Sequence, residues 1–317
     1  MKYFIAGGAG FIGSTLVHKL LEKEPDAKII IYDNLSTGRL SYIKDLNSNL
    51  NVEFILGNIR DLQFLTESMK GCDVVYHFAS NADISKAMTD PTIDFWEGTY
   101  LTQNILEAMR INGIKKIIYA SGSGIYGDHG HFKIKERTPL RPVTSTYGAS
   151  KLAGESLICA YSHMFDIQSR IYRFANVVGG NQTHGVVSDF IIRLKKNPLI
   201  LEVLGNGEQL KSYVYIDDIL NGIFLTEGGN KRIEIYNISS ETQVSVKEIV
   251  DIVLEEVGIK DSTIVKYGDT AGGWRGDIPI VLLDATKIRC RGWETKYSSK
   301  EAIRKTAKEI LEKEWQL

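Results

Sequence analysis

Tyr147 and Lys151, four positions apart, are the residue pair whose types and spacing most plainly allow chemistry. They open a helical pattern running to about Met164, and that spacing puts them on one helix face. A lysine ammonium near a phenol favours the phenolate, so the pair predicts a tyrosine titrating below its usual ~10. Such a tyrosine can take a proton from an alcohol. Removing hydride from the same carbon needs an acceptor, and the N-terminus supplies the pattern that holds one. A short apolar run, Tyr3 to Ala6, leads into Gly7-Gly8-Ala9-Gly10-Phe11-Ile12-Gly13 and then a helix-like segment from Phe11 to Leu21. In that strand–turn–helix context Gly7 allows a tight turn, Gly10 leaves room for a pyrophosphate, and Gly13 lets helix and strand pack closely. Phe11 and Ile12 carry the first helical amides, which face the phosphates together with the positive end of the helix dipole. Asp33 closes the next apolar run, 20 positions beyond Gly13, where a carboxylate accepts from both ribose hydroxyls and repels a 2′-phosphate. The pattern therefore predicts NAD rather than NADP.

Short β-rich runs alternating with helical patterns position these groups and predict an α/β fold, a doubly wound parallel sheet of Rossmann type with a smaller C-terminal α/β lobe. The expected strands are Tyr3–Ala6, Lys28–Tyr32, Asn51–Gly57, Cys72–Ala79, Ile114–Ala120 and Ile167–Phe174. Ligands sit at the carboxyl ends of such strands. This places Asn34, Ser36, Thr37 and Gly38 beside the adenosine, with Asn58 and Ile59 after the third strand and Phe78 and Ala79 after the fourth as further cofactor contacts. His77 reads as an ordinary strand histidine. Asp61 reads as the N-cap of a helix over Leu62–Met69, Thr89–Arg110 as one long helix, and Gly130–Val143 as a loop. After the fifth strand comes Ser121-Gly122-Ser123-Gly124-Ile125-Tyr126-Gly127, with hydroxyls at Ser121 and Ser123 where a substrate would lie. Residues 1–173, with later returns around 212–240, form the expected cofactor domain, and 174–317 mainly the substrate lobe. In that lobe helices are expected over Val186–Lys196, Ser245–Val257 and Ser298–Trp315, strands over Val214–Ile216 and Lys231–Ile238, and a loop over Ala271–Asp277.

Composition narrows the class. A formal net charge of −1 without a basic stripe argues against nucleic acid as a partner. Three widely separated cysteines fit neither a disulfide framework nor a zinc site, so no metal is expected and a reducing, cytoplasmic compartment is. No apolar run approaches a membrane span, and the glycines arrive too early for a signal peptide.

Together these stretches resemble the extended short-chain dehydrogenase/reductase family over nearly the whole chain, and within it the UDP-glucose 4-epimerases and their sugar-nucleotide relatives. The segments are GGAGFIG at 7–13, YDNLSTG at 32–38, SGSGIYG at 121–127, YGASK at 147–151, RFANVVG at 173–179 and LGNGEQLKSYVYIDD at 204–218. The resemblance implies a tightly held NAD and a UDP-sugar bound in the C-terminal lobe. It also implies a homodimer that pairs the helices near Thr89–Arg110 and Tyr147–Met164. The reaction implied is reversible inversion at C4 of UDP-glucose or UDP-galactose, through a 4-keto sugar. Tyr147 would be the base, with Lys151 keeping it acidic and helping to hold the nicotinamide ribose. The family's catalytic Ser/Thr position is Gly122 here, leaving Ser121 and Ser123 as the nearby hydroxyls. The resemblance gives Asn176 as a substrate contact. Lys211 stands where the family has a phosphate-binding arginine, and Arg275 is shifted by one from the later one. A family asparagine near the NAD is replaced around Gly98. Val281 stands where a bulky aromatic narrows the family's sugar pocket, which implies tolerance of N-acetylhexosamines.

Three rival readings remain. A 4,6-dehydratase needs an Asp-Glu pair after the catalytic hydroxyl residue, and this chain has Ser123-Gly124. A decarboxylase or glucuronate epimerase shares the cofactor chemistry. A non-catalytic NAD-binding sensor would fit Gly122, though not the retention of both Tyr147 and Lys151.

Overall fold

The computed structural model describes residues 1–314, and Trp315, the expected end of the last helix, lies outside the described residues. The chain divides into two compact units. The first comprises Met1–Gly122, Thr146–Arg173 and Thr226–Tyr236, and the second Ser123–Ser145, Phe174–Leu225 and the described residues from Asn237 onward.

The first unit is built on β1 (Lys2–Ala6), α1 (Phe11–Lys23), β2 (Lys28–Asp33), β3 (Val52–Leu56), α2 (Leu62–Ser68), β4 (Val74–His77), α3 (Tyr100–Asn112), β5 (Lys116–Gly122), α4 (Thr146–Phe165), β6 (Gln168–Phe174) and β7 (Ile233–Ile238). These strands form one seven-stranded sheet in the order β7-β6-β5-β4-β1-β2-β3. The pairs β1–β2, β1–β4, β2–β3 and β4–β5 are all parallel. Tyr3, Phe4, Ile5 and Ala6 of β1 are all buried, as a central strand covered on both faces requires. Phe4 and Ala6 of β1, with Ile30 and Tyr32 of β2, pack into one cluster with Ile105 and Met109 of α3 and Ile158 of α4. Burying a side chain of this size stabilises by about 1.5–3 kcal/mol. Strand order reverses at β1, between β2 and β4, and at such a switch point an open α/β sheet leaves a crevice beyond its carboxyl ends.

Local chemistry sets the boundaries. Asp61 caps α2 by accepting from the Phe64 amide at 3.0 Å. Gly113, at φ 69°, ends α3 in the left-handed conformation. The expected helix over Thr89–Arg110 starts late and is not regular α-helix throughout. Asp90 holds the amide and hydroxyl of Thr92 with one carboxylate oxygen, helix begins at Ile93, a π-helical turn covers Phe95–Thr99, and α3 follows directly from Tyr100.

In the second unit, Leu210–Lys211 lies between Val244–Ser245 and Ile280–Leu283, and the latter pairs in turn with Lys133–Ile134. Asn176–Val178 pairs with Tyr213–Tyr215, and Ile200–Val203 with Ile264–Tyr267. Of these, Lys133–Ile134 falls in a segment read as loop, and several others are too short to carry a periodicity. Helices cover Val186–Lys196, Val246–Val257 and Ser299–Glu314. Among the described residues no helix is long and apolar enough to cross a membrane.

Candidate active site

The glycine turn follows β1 directly. Gly7 has φ +79°, and a Cβ there would meet the Ala79 backbone at 2.7 Å. A Cβ on Gly13 would sit 2.2 Å from the Gly7 carbonyl oxygen, so the close approach of α1 to the turn depends on its glycine. Gly10 is the extended N-cap of α1 and supplies no side-chain cap, and the first turn carries no acidic residue. Phe11, Ile12 and Gly13 therefore present backbone donors without a competing carboxylate.

Asp33 ends β2, 7% exposed, and accepts from the amides of Ala9 at 3.0 Å and Leu35 at 2.8 Å. Burial pushes its carboxyl above the ordinary value, against the Leu35, Ala9 and Asn34 amides that pull it down. Gly38 packs onto this carboxylate so closely that a Cβ would lie 2.7 Å from Oδ1. Ser36 and Thr37 are exposed on the same loop, and the Asn34 side chain accepts from the Ser36 amide. Asn58 follows β3 and accepts from the Arg60 amide, while buried Ile59 gives its carbonyl to Asn104. Phe78 and Ala79 follow β4, and both amides return to the Ala6 carbonyl at 3.0 Å. The turn, Asp33, Asn58, Ala79 and Ser121 all sit at carboxyl ends of this one sheet. The buried Ser121 hydroxyl has no hydrogen-bond partner among the described residues. A close-packed glycine cradle, an uncapped helix start, a carboxylate at the second strand end and an orphaned buried hydroxyl fit a dinucleotide.

Tyr147 lies in the first turn of α4 and Lys151 one turn on. Lys151 is 4% exposed and its ammonium donates to the Ala120 carbonyl at 2.9 Å. It lies 5.6 Å from the Tyr147 ring centre and 5.2 Å from that of Tyr119. The expected lowering of the Tyr147 pKa is corrected by the structure. Burial, and next the charge of Asp94, push the phenol up to about 12 against a hydrogen bond with Ser80. Burial also lowers Lys151 to about 8, with Asp94 and Glu155 opposing. Desolvation of the charged forms outweighs the attraction between the two side chains.

The other expected site residues lie in the second unit. Ser123 opens a single helical turn, Ser123–Tyr126. Asn176 is exposed and donates to the Ser212 carbonyl at 3.2 Å. Lys211 is paired with Asp277 at 2.5 Å, and Asp277 also accepts from the Gly273 amide. Arg275 is exposed in the same loop. Gly122, at the end of β5, has open space where a Cβ would stand.

The family model for NAD-dependent epimerases and dehydratases matches residues 3–239. The chain belongs to the NAD-dependent epimerase/dehydratase family. It is accordingly an enzyme, and its cofactor is NAD. A Methanocaldococcus jannaschii protein whose name assigns it provisionally as UDP-glucose 4-epimerase is 34% identical, with 95% of each chain covered. The solved UDP-glucose 4-epimerase of Thermus thermophilus, in complex with NAD, is 29% identical at TM-score 0.85, covering 98% of this chain and 99% of that one. A dTDP-glucose 4,6-dehydratase from Streptomyces venezuelae with NAD bound is 26% identical at TM-score 0.90, covering 98% and 97%. Epimerases and dehydratases of nucleotide sugars thus share this fold, and the chain is an enzyme of that class.

Four groups of the site, Asp94, Asn81, Thr146 and Ser80, carry no sequence signal of their own. Asp94 is 2% exposed and accepts from Asn81 at 2.9 Å and Thr146 at 2.6 Å. The Ser80 side chain favours the Tyr147 phenolate. Each is an ordinary polar residue in a loop or helix start until packing brings it to α4.

Proposed function

We propose that this enzyme inverts C4 of a UDP-hexose, interconverting UDP-glucose and UDP-galactose or their N-acetylated forms. The observation that carries the reading is the Tyr147–Lys151 pair on α4, with Lys151 fixed to the Ala120 carbonyl in the unit that contains the glycine turn and Asp33. The relative and the solved neighbour named UDP-glucose 4-epimerase support the choice of reaction. The Ser123-Gly124 sequence, lacking an Asp-Glu pair, argues against dehydration.

Gly7, Gly10, Phe11, Ile12 and Gly13 would hold the pyrophosphate, and Asp33 the adenosine ribose, flanked by Asn34, Ser36, Thr37 and Gly38. Asn58, Ile59, Phe78 and Ala79 would line the remainder, and Lys151 would hold the nicotinamide ribose. When bound, NAD supplies a reversible acceptor for the C4 hydride. Tyr147 takes the C4 hydroxyl proton as the sugar becomes a 4-keto sugar, and gives it back when the carbonyl is reduced on its other face. The positive charge of Lys151 favours the phenolate that this step needs. Ser121 or Ser123 offers the hydroxyl that Gly122 lacks. Asn176, Lys211 and Arg275 would bind the uridine diphosphate. The active form would be a homodimer in a reducing, cytoplasmic compartment. The three cysteines, all free, agree with that compartment.

The test is to incubate purified enzyme with UDP-glucose, UDP-galactose and their N-acetyl counterparts and to follow C4 configuration by NMR and product mass. Interconversion at unchanged mass is expected. Loss of water would indicate dehydration, loss of carbon dioxide from UDP-glucuronate a decarboxylase, and binding of NAD without turnover a sensor.

A further inference from the structure

Asp94 is a nearly fully buried acid that the preceding reading leaves without a task. Its two carboxylate oxygens are held separately. Oδ1 accepts from the Asn81 side chain at 2.9 Å and Oδ2 from the Thr146 hydroxyl at 2.6 Å. Thr146 directly precedes Tyr147, and Asn81 directly follows Ser80, whose side chain favours the Tyr147 phenolate. The same segment docks on α4 a second time. Gly98, in the π-helical turn, packs so closely that a Cβ would lie 2.0 Å from the Ser150 hydroxyl, and Thr99 donates to that hydroxyl at 3.3 Å. Ser150 directly precedes Lys151. Asp94 is thus locked against the start of α4 by contacts that flank Tyr147 and Lys151, and both its hydrogen-bond donors are neutral.

We propose that Asp94 is a positioning residue for the Tyr147–Lys151 pair, a buried carboxylate locked against the start of α4 whose negative charge stabilises the Lys151 ammonium. This deepens the reading above and rests on it for the role of the pair. Other ionisable groups also face Lys151. Glu155, one turn along α4, is held by Arg173 of β6 through two guanidinium nitrogens, at 3.0 and 2.6 Å. His77 of β4 is kept neutral by burial and by Lys151 itself. Tyr119 of β5 lies beneath the ammonium, burial keeping its phenol protonated, and Tyr147 lies beside it. Glu155 spends its charge on a guanidinium, whereas Asp94 meets no cation in its two recorded contacts. Asp94 and Glu155 are the two groups that raise Lys151 against its burial.

The experiment follows the side-chain resonances of Lys151 by NMR against pH, in protein free of sugar nucleotide, with Lys151→Met to assign them. Wild type should titrate near 8. Asp94→Asn keeps the shape and can still bond Thr146 and Asn81, and its Lys151 midpoint should fall by about one pH unit. Thr146→Val removes a hydrogen bond but no charge and should leave the midpoint in place. An unchanged midpoint in Asp94→Asn overturns the proposal. Should that variant not fold, the wild-type Asp94 carboxyl resonance decides, since it must show an inflection at the Lys151 midpoint, and a flat response there overturns the proposal equally. None of these readings needs turnover. Absence of C4 interconversion would therefore sink the proposed function and leave the Asp94 result standing, and the reverse holds too.

Discussion

Lys151 gives its ammonium proton to the Ala120 carbonyl at 2.9 Å and stands 5.6 Å from the centre of the Tyr147 ring. The pair is therefore an electrostatic neighbourhood, with no hydrogen bond between the two side chains among the described residues. Its attraction must work against two desolvation costs, which raise the phenol to about 12 and lower the ammonium to about 8. A second positive charge, of the kind NAD carries on its nicotinamide, would shift the balance toward phenolate.

Replacing Tyr147 with Phe removes the proton acceptor and keeps the ring. Turnover should fall by about 10²–10⁴-fold, the range for general acid–base groups, while NAD binding and melting temperature change little. Steady-state kinetics with a UDP-hexose and NAD titration by fluorescence check both halves. Activity that survives the change points to a different base.

Gly13→Ala places a Cβ 2.2 Å from the Gly7 carbonyl oxygen and 2.7 Å from the Gly8 Cα, both backbone atoms of the turn. Overpacking of this kind costs about 1–3 kcal/mol, and the distorted turn should weaken NAD binding at least about tenfold, or about 1.4 kcal/mol. Gly122→Ala is the control, since its Cβ meets nothing within 4 Å. It should leave stability unchanged or higher by up to about 1 kcal/mol. Thermal melts with and without NAD separate the two.

His77 is buried, gives or accepts one hydrogen bond with Thr102 at 3.0 Å, and has its pKa lowered to about 3 by burial and next by Lys151. Its folded value lies below the unfolded ~6.5. Its contribution is therefore complete above about pH 6.5 and lost as the pH falls toward about 3, by up to several kcal/mol. Denaturant unfolding at about pH 7 and about pH 4 should show this loss, with a flatter pH dependence in His77→Asn. An equally steep dependence in the variant would assign the acid lability to other groups.

Val281 stands opposite Lys211 in the strand pair of the second unit. A residue of this size should admit an N-acetyl group, so kcat/KM for UDP-N-acetylgalactosamine should come within about tenfold of that for UDP-galactose, a difference of no more than about 1.4 kcal/mol. Val281→Tyr should selectively depress the N-acetyl substrate. Equal depression of both would place Val281 away from the sugar.

Neighbouring residues alone determined much of this protein. The spacing of Gly7, Gly10 and Gly13, the apolar runs and Asp33 at the end of the second one specify a strand, a turn and a helix. In a parallel sheet all strand ends carrying such groups fall at one edge, so the α/β class and the NAD cofactor were legible without coordinates. Tyr147 and Lys151 were legible as a pair because helical periodicity is local. Tertiary structure decided the rest. Asp94 meets Thr146 across 52 residues of chain, and no periodicity links them. The π-helical turn before Tyr100 brings Gly98 and Thr99 onto Ser150, a contact that the run of residues itself does not announce. The direction of the Tyr147 shift depends on how much water the fold removes around a phenol, and side-chain spacing carries no information about that.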